Sequence, residues 1–406
     1  MKVLIYTDEY YPTAQACAYR MQVFANTFIA LGDDVVVITS SANKANGALD
    51  KDRHKERIIY SPAIRMKKKT TIMRMLNNLS FGFTSIFSAI GAGKIDVVIT
   101  TSPPPLVSIS GWIIAKFKGA KLVYDVRDIW PDVALEMGSF AEDSVFCKVF
   151  RKITRFMYKH SDIVTTVSPG KVEKIKKHIS NIKGRKAGVS HTDNVWLVGN
   201  GFDESIAESE FDQSIVDQYE LDNKFTCVYI GNIGLAQGLG ALLDVASNTK
   251  HRNVQFLCFG MGAEKVMLEK RVEDEGLSNV KFCGVIEHSK VFSLLSRAKI
   301  SFIPLKNSNM KDSIPTKVFE ALGIGCPVLL VAEGDSTEIL SDAGLGRSVS
   351  PDVSIEQLVS AFDDMIDNYE TFDTHRDEAI YLMHEKYSRQ KIAETLNRRL
   401  HLKFGI

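Results

Sequence analysis

The chain has 406 residues, more than one hydrophobic core ordinarily serves, so its length predicts two domains. Hydrophobic residues make up 45% and charged residues 24% of the sequence, which is typical of a soluble globular enzyme. The formal net charge of +1 gives no reason to expect nucleic acid as a partner. The six cysteines contain no CxxC pair and the nine histidines no HxxxH pair, so the sequence predicts no metal site.

The sequence opens on a strand pattern, residues 1–6, without the basic region, apolar block and cleavage site of a signal peptide. The longest weakly polar run, residues 79–93, is shorter than the roughly 20 residues that a membrane-spanning helix needs. Most cysteines lie in apolar, strand-like runs. Together these features predict a cytoplasmic protein with reduced cysteines.

Short apolar runs alternate with helical patterns along the whole chain, which predicts parallel sheets covered by helices on both faces. Six strands are predicted in the first half: Val3–Tyr6, Val35–Thr39, Asp96–Thr100, Lys121–Tyr124, Ile163–Thr166 and Val195–Val198. The helical patterns between them are Arg20–Leu31, Val107–Lys118, Ser144–Lys159 and Lys171–Ile179. Each predicted strand is nearly continuously apolar, as expected where both faces of a sheet are buried.

A second series of strands follows: Phe225–Ile230, Val254–Phe259, Val280–Phe282, Ile300–Ile303 and Pro327–Val331. The acidic, polar segment Gly199–Asn223 contains the turn signal Asn-Gly and predicts a linker between the two halves. Two α/β halves predict a cleft, with ligands beyond the carboxyl ends of the strands. A final helix, Ser388–Leu402, is predicted to be able to cross back over the first half.

The segment Asp8–Arg20 follows the first predicted strand, and its small residues open a helix at the carboxyl end of the sheet. Glu9 and Arg20 are candidates to face the cleft, because ligands of such sheets lie at that edge. Ordinary helix capping and surface charge explain the same residues about equally well.

Basic residues at positions 65, 67–69 and 74 precede a stretch with Phe81, Phe83 and Phe87. Basic side chains beside an amphipathic segment favour docking of residues 65–90 on an anionic membrane surface. A solvated basic face over a core helix is the alternative, of equal weight.

Arg127 and Asp128 follow the predicted strand Lys121–Tyr124. Charged side chains at the carboxyl end of a strand indicate a site more often than a core position. The Arg127 fork suits a phosphate or a carboxylate, and Asp128 suits sugar hydroxyls. The alternative is an ion pair between the two that braces the loop.

Glycine-rich turns follow two strands of the second half, YIGNIGLAQGLG at 229–240 and FGMG at 259–262. Small residues let the backbone approach a diphosphate, and the following helix offers its amides. Plain strand-to-helix turns are the alternative. Neither GxGxxG nor GxxxxGK[ST] occurs, so the signal for a dinucleotide or Walker-type site is weak.

The stretch 311–331, KDSIPTKVFEALGIGCPVLLV, predicts a helix that begins near Pro315, ends at the following glycines and leads into a buried strand. The N-terminus of such a helix attracts phosphate. Lys317 and Glu320 share a face, so one side chain can meet a phosphate while the other accepts hydrogen bonds from two hydroxyls. This arrangement of side chains suits the binding of a nucleotide sugar. An ordinary ion pair on a solvated helix is the alternative.

Taken in order, several segments resemble glycosyltransferase family 4, retaining enzymes with the GT-B fold. They are YYPTAQACAYR, TTSPPP, YDVRDIWPD, SDIVTTVSPG, VGNGFD, YIGNIGLAQGLG, FCGVIEHSKV, IPTKVFEALGIGCPVL and the end of the C-terminal region. Within the family the chain most resembles the WbuB-like branch of N-acetylfucosaminyl and related transferases, which build bacterial surface polysaccharides. The resemblance implies an α/β protein with two Rossmann-like, doubly wound parallel-sheet domains facing a central cleft. The implied domains are 1–202 on the acceptor side, 203–385 for the nucleotide sugar, and a C-terminal helix within 386–406.

The family's hallmark is Glu, seven residues, Glu, and this chain has Asp312 and Glu320 at those positions. By resemblance, Glu320 holds the ribose hydroxyls and Asp312 lies near the donor sugar. Many relatives neutralise the diphosphate with Arg and Lys in the first glycine turn, where this chain has Asn232 and Gln237. Lys317 is therefore the candidate for the missing positive charge.

The resemblance assigns further positions by role. The implied catalytic set is Lys317, Asp312, Arg127 and Asp128, with Arg127 supporting Lys317 across the cleft. On the donor side it adds Gly231, Gly234, Gly260 and Thr316, with Val285 beside the base. On the acceptor side it implies Glu9, Ala16 and Arg20.

The implied activity is that of a retaining, metal-independent hexosyltransferase with a UDP-sugar as co-substrate and no cofactor. The expected donor carries an N-acetylated deoxyhexosamine such as N-acetylfucosamine, and the expected acceptor is a polyprenyl-diphosphate-linked saccharide of O-antigen or capsule synthesis. Such a protein works in the cytoplasm, peripheral on the inner face of the bacterial plasma membrane. Two alternatives stay open: a nucleotide-sugar epimerase on the same scaffold, and a non-catalytic scaffold protein that binds nucleotide sugar.

Overall fold

The computed structural model describes residues 1–11, 16–43, 55–64, 71–136, 140–182 and 191–406. These residues divide into two compact units. Unit 1 consists of Met1–Asn200 and Arg389–Ile406, and unit 2 of Gly201–Ser388. Each unit is built on its own parallel sheet.

A seven-stranded parallel sheet forms the centre of unit 1. Its strands are β1 (Lys2–Tyr6), β2 (Asp34–Ser40), β3 (Arg57–Ser61), β4 (Val97–Ser102), β5 (Lys121–Val126), β6 (Ile163–Thr166) and β7 (Val195–Leu197). The helices between them are α1 (Ala16–Ala30), α2 (Thr71–Ser88), α3 (Pro105–Lys118), α4 (Asp132–Glu136), α5 (Val145–His160) and α6 (Pro169–Ser180). The strand order β3-β2-β1-β4-β5-β6-β7 is that of a doubly wound sheet.

Helices cover both faces of this sheet, which explains why its central strands are apolar throughout. On one face α2, α3 and α5 bury side chains such as Phe81, Ile114 and Met157. On the other face α1 buries Phe24 and Phe28.

Unit 2 is built on six parallel strands. They are β8 (Phe225–Ile230), β9 (Val254–Phe259), β10 (Val280–Gly284), β11 (Ile300–Pro304), β12 (Val328–Val331) and β13 (Gly346–Val349). The order in the sheet is β10-β9-β8-β11-β12-β13. The helices are α7 (Glu204–Ala207), α8 (Gln213–Gln218), α9 (Gly240–Asn248), α10 (Lys265–Asp274), α11 (Val291–Arg297), α12 (Thr316–Ile324), α13 (Asp335–Ala343), α14 (Ile355–Asp367), α15 (Tyr369–Asp373) and α16 (Arg376–Lys386).

The last helix, α17 (Arg389–Phe404), belongs to unit 1. Its Leu396 and Leu400 lie in the same buried cluster as the phenylalanines of α1. Arg389 Nε donates to the carbonyl of Asn200 at 2.8 Å, which ties the start of α17 to the end of the first segment of unit 1.

The segment predicted as a polar linker is not one. Residues 201–223 carry α7 and α8 and bury Phe202, Ile206, Ile215 and Leu221 in the core of unit 2. Acidic residues separate these apolar positions, so their helical spacing is hard to recognise in the sequence. The composition of the segment therefore suggested a linker, whereas its apolar residues fix it to the domain.

The sequence prediction missed β3 and β13, which are edge strands of their sheets. Arg57 begins β3, and Arg347 and Ser348 lie exposed within β13. Edge strands need not be buried on both sides, so they lack the continuous apolar run that reveals central strands.

Candidate functional site

The predicted donor-side positions lie in loops that leave the strands of unit 2, or at the start of α12. Those after strands are Gly231, Asn232, Gly234 and Gln237 behind β8, Gly260 behind β9 and Val285 behind β10. Those at α12 are Asp312 before it and Thr316, Lys317 and Glu320 within it. Because the sheet is parallel, the carboxyl ends of its strands share one edge. The fold thus gathers these positions at one edge of unit 2.

The glycines after β8 and β9 let neighbouring loops pack backbone to backbone. Gly260 has a φ of +145°, and a Cβ on it would lie 1.8 Å from the carbonyl oxygen of Gly231. The amide of Gly231 donates to Phe259 O at 2.9 Å, and the amide of Gly260 donates to Gly284 O at 2.6 Å. Glycine at 260 is therefore required for the packing of three loops, whatever ligand lies beyond them.

The helix α12 begins and ends close to where the sequence predicts. Pro315 is its N-cap and makes no side-chain cap. The first amides of a helix have no acceptor within it, and its dipole places partial positive charge there. Gly325 ends the helix with a φ of +78°. A Cβ on Gly323 would lie 2.5 Å from the ring of Phe202, so glycine lets this turn pack on that ring.

Lys317 is held over the end of β8 by Tyr229. Its Nζ donates to the Tyr229 hydroxyl at 2.9 Å and lies 4.0 Å from the centroid of the same ring. The hydroxyl in turn donates to the carbonyl of Asn232 at 2.5 Å. Lys317 Nζ also lies 3.3 Å from where a Cβ on Gly231 would be. The ammonium is thus fixed at the glycine turn by a hydrogen bond and a cation–π contact.

Burial lowers the pKa of Lys317 from its usual 10.5 to about 7, against the opposing effect of the Glu320 carboxylate. The opposing effect requires Glu320 to lie near Lys317, as their spacing on one helix face predicts. A lysine in this state takes up a proton readily when an anion approaches, because the anion stabilises the charged form. Lys317 is therefore suited to meet a phosphate.

Asn232 and Gln237 shape the loop after β8. The amide of Gly234 donates to Gln237 Oε1 at 3.2 Å, and Asn232 Nδ2 donates to the same oxygen at 3.5 Å. Both side chains are polar and take part in these hydrogen bonds, but neither carries a charge. The loop itself contains no Lys or Arg, and Lys317 of α12 brings positive charge to it.

Asp312 lies in a turn that the neighbouring Lys311 holds in place. Lys311 Nζ lies 2.9 Å from Glu333 Oε2, and the Lys311 carbonyl accepts the amide of Asp335 at 2.8 Å. Val285, which follows β10, is 71% exposed. The residue is therefore accessible at this edge of unit 2.

In unit 1, the loops after β1 and β5 bring Asp8 and Arg127 together. Burial and the adjacent Glu9 raise the pKa of Asp8 to about 7, while Arg127 acts to lower it. Burial opposes the charge of Arg127, but Cys17 and the surrounding carboxylates outweigh it, so the pKa of Arg127 is raised. Arg127 Nη2 donates to Pro103 O at 2.7 Å, and its buried Nε has no hydrogen-bond partner among the described residues.

Arg20 does not face a ligand site, contrary to the expectation for the acceptor side. It is 1% exposed, and Nη2 lies 3.1 Å from Asp125 Oδ1. The same guanidinium donates to the carbonyls of Val198 (2.8 Å) and Gly199 (2.5 Å) and lies 4.7 Å from the Phe24 ring centroid. Arg20 therefore joins α1, β5 and the end of β7 from inside the unit.

Glu9 and Asp128 are half-buried in the loops after β1 and β5, and Ala16 is the first residue of α1. Sequence reasoning did not single out Asp8 or Tyr229. Asp8 directly follows β1, so the rule that selected Arg127 also applies to it. Tyr229 lies inside a buried strand, where an aromatic residue ordinarily belongs to the core. Within the described ranges, no group of three His, Cys, Asp or Glu side chains is placed to hold a metal ion.

Comparisons with known proteins agree with this arrangement. Residues 211–380 match the family model described as Glycosyl transferases group 1. Over 381 residues the chain is 25% identical to the putative colanic acid biosynthesis glycosyl transferase WcaI of Escherichia coli K12, covering 89% of this chain and 91% of that protein.

Two solved structures have the same fold. Sucrose-phosphate synthase from Thermosynechococcus elongatus superposes with a TM-score of 0.81 at 15% identity, covering 100% of this chain and 99% of the other. Anabaena HepE, solved in complex with UDP and glucose, gives a TM-score of 0.74 at 15% identity over 98% and 99% of the two chains. The prediction of two Rossmann-like domains of the GT-B type is confirmed. Residues 211–380, within unit 2, are thus similar to the group 1 glycosyl transferases, and the two solved structures show the fold of the whole chain.

Proposed function

We propose that this protein transfers a sugar from a UDP-sugar to an acceptor hydroxyl, with retention of anomeric configuration. The observation that carries the proposal is the placement of Lys317 at the start of α12, held over the β8 turn by Tyr229. HepE, which shares the fold, was solved with UDP and glucose. A nucleoside diphosphate on this edge of unit 2 would find one ammonium and the first amides of a helix.

The proposed chemistry needs stabilisation of charge on the leaving diphosphate. As the bond from the sugar to the phosphate oxygen breaks, negative charge grows on that oxygen, and Lys317 with the α12 amides would stabilise it. In our proposal the acceptor attacks from the same face as the leaving group and gives its proton to the departing phosphate. Such a step uses no protein base, and the positive charge it needs does not require a metal.

The other residues are proposed to position the substrates. Glu320 would accept hydrogen bonds from the ribose hydroxyls, and Asp312, one methylene shorter than the family's Glu, would contact the donor sugar. Arg127 and Asp128, with Asp8 beside them, are the candidates of unit 1, and Arg127 would add positive charge or hold an anionic acceptor. Arg20 is left out because it is buried against Asp125.

We further propose an N-acetylated deoxyhexosamine such as N-acetylfucosamine as the donor sugar. The proposed acceptor is a polyprenyl-diphosphate-linked saccharide of O-antigen or capsule synthesis, which would bring the protein to the inner face of the bacterial plasma membrane. The name of WcaI, a putative glycosyl transferase of colanic acid biosynthesis, supports a surface polysaccharide as the product. Membership of family 4 and of its WbuB-like branch belongs to the same proposal.

The test begins with a panel of nucleotide sugars and thermal unfolding, because a bound ligand raises stability in proportion to its occupancy. The nucleotide sugar that protects best is then supplied with extracted polyprenyl-linked saccharides, and release of UDP is measured. Lys317→Ala should lower turnover by about 10²–10³, as does loss of one donor that stabilises developing charge. The control is Lys270→Ala, because Lys270 is an exposed lysine of unit 2 paired with Asp274.

The outcomes separate the proposal from its alternatives. UDP release that requires the acceptor supports transfer. Conversion of the donor without any acceptor would indicate an epimerase, and protection without turnover a non-catalytic scaffold protein. Turnover of Lys317→Ala close to that of the unaltered protein would refute the role of Lys317.

A further inference from the structure

The outer face of α2 carries an apolar stripe that is exposed among the described residues. Its five members are each between 43% and 65% exposed: Leu76, Leu79, Phe83, Phe87 and Ile90. Their spacing of three or four residues places them on one side of α2 and of the short turn Ala89–Ala92 that continues it. Phe81, Ser85 and Ala89 lie buried on the opposite side. We call these five residues the α2 stripe.

Aromatic side chains enlarge the α2 stripe. The rings of Phe83 and Phe87 meet edge to face with centroids 5.3 Å apart. The adjacent helix α3 exposes Phe117 to 64%. Lys118, beside it, donates to the carbonyl of Gly93 at 2.7 Å, just beyond the stripe. Exposed phenylalanines in a group are unusual on a surface that faces only water.

The sequence segment that contains the α2 stripe is rich in positive charge. Residues 57–95 contain seven Lys and Arg and no Asp or Glu. Unit 1 as a whole has 34 Lys and Arg against 18 Asp and Glu, whereas unit 2 has 16 against 31. Residues 65–70, which include four of these basic residues, lie outside the described ranges, so this count rests on the sequence. The net charge of the whole chain is small because the basic unit 1 is offset by the acidic unit 2.

We propose that the α2 stripe docks on an anionic lipid bilayer, with α2 lying in the plane of the membrane. Apolar side chains would enter the boundary between headgroups and acyl chains, and described basic residues such as the exposed Arg74 and Lys94 would bind anionic headgroups. No helix in the described part of the chain is long and apolar enough to cross a bilayer. A second copy of this chain is a poorer occupant, because its stripe would bring the same positive charge with it.

The biological reason for such docking rests on the proposed function, because a polyprenyl-linked acceptor lies in a membrane. The inference makes the broader expectation for residues 65–90 specific, because it names the side chains that enter the bilayer. The test needs neither acceptor nor donor, so it can fail or succeed separately from the proposed sugar transfer.

The experiment is co-sedimentation of the full chain with vesicles of phosphatidylglycerol and phosphatidylcholine, and with vesicles of phosphatidylcholine alone. Phe83→Ser combined with Phe87→Ser should lower the partition coefficient for anionic vesicles by about tenfold or more. The control combines Leu31→Ser with Leu402→Ser. These leucines are 51% and 79% exposed. Leu31 directly follows α1 and Leu402 lies in α17, two helices that cover the other face of the sheet. The control should bind like the unaltered protein, and added salt should weaken the binding of all three.

Equal binding of the Phe83/Phe87 variant and the control would overturn the inference, as would equal binding of the unaltered protein to neutral vesicles. Sedimentation velocity tests the alternative that a second copy of the chain covers the stripe. If the Phe83/Phe87 variant loses a dimer but still binds vesicles, the stripe is an interface between copies. Protection by nucleotide sugars against unfolding should be the same in all variants. Its absence from every variant, with vesicle binding retained, would count against the proposed function alone.

Discussion

Binding of UDP should draw a proton onto Lys317. In the free protein, burial holds the pKa of this lysine at about 7. A diphosphate beside Nζ would stabilise the ammonium and return the pKa toward its usual value. The protein should therefore bind UDP and a proton together whenever the pH is above 7.

The size of the effect follows from the two pKa values. At pH 8 a lysine with a pKa of about 7 is about nine-tenths neutral, and one restored to 10.5 is almost fully charged. Binding at pH 8 should thus take up about 0.9 proton per UDP. Between pH 7.5 and 9.5 the dissociation constant should rise by about tenfold per pH unit. The terminal phosphate of UDP titrates near pH 6 and is already ionised in this range.

The measurement is calorimetric titration of UDP at pH 8 in buffers of different ionisation enthalpy, from which proton uptake is obtained. Lys317→Arg is the informative variant, because arginine keeps its charge and does not titrate here. That variant should bind UDP with almost no proton uptake and a flat pH profile. Uptake of the same size in Lys317→Arg would refute the assignment of the proton to Lys317.

The same pKa has a consequence for stability. Between pH 7 and 10.5 the unfolded chain holds a proton on Lys317 that the folded chain lacks. Stability therefore gains from Lys317 as the pH rises through this window, and the burial of its charge costs most below pH 7.

Three further predictions concern contacts within each unit. Tyr229→Phe keeps the ring under Lys317 and removes the hydroxyl, so UDP affinity at pH 7 should fall by about three- to tenfold, measured by the same calorimetry. Arg20→Met leaves the Asp125 carboxylate buried without its ion pair and should cost about 3–5 kcal/mol in urea unfolding. Gly260→Ala drives a Cβ into the carbonyl of Gly231 at a positive φ, and should destabilise the protein by more than about 1 kcal/mol in thermal unfolding.

Each of these changes has a matched control on the surface. Tyr381→Phe alters a tyrosine that is 69% exposed, and UDP affinity should not change. Arg151→Met removes a partly exposed arginine whose partner, Glu142, is well exposed, with little expected loss of stability. Gly276→Ala also has a positive φ, of +63°, but finds nothing within 4 Å, so its cost should be the smaller. If a control variant changed affinity or stability as much as its partner variant, the named contact would not be the cause of the effect.

Central strands and α12 could be predicted because their signals are local. A continuous apolar run marks β1 or β8, and Pro315 and Gly325 mark the helix ends. The partners of Lys317 and Arg20 could not be predicted, because Tyr229 and Asp125 lie 88 and 105 residues away in sequence. Spacing along a helix indicates which residues share a face, but only the strand order decides what that face meets.

The discontinuity of unit 1 sets an order for its assembly. The chain enters unit 2 at Gly201 and leaves it at Ser388. The amide of Phe202 donates to the carbonyl of Tyr387 at 2.7 Å, so the two ends of unit 2 meet. On the ribosome, every residue of unit 2 is therefore made before α17. Until α17 emerges, the face of the first sheet that receives Leu396 and Leu400 stays open. The first domain to begin synthesis is thus the last to close its core.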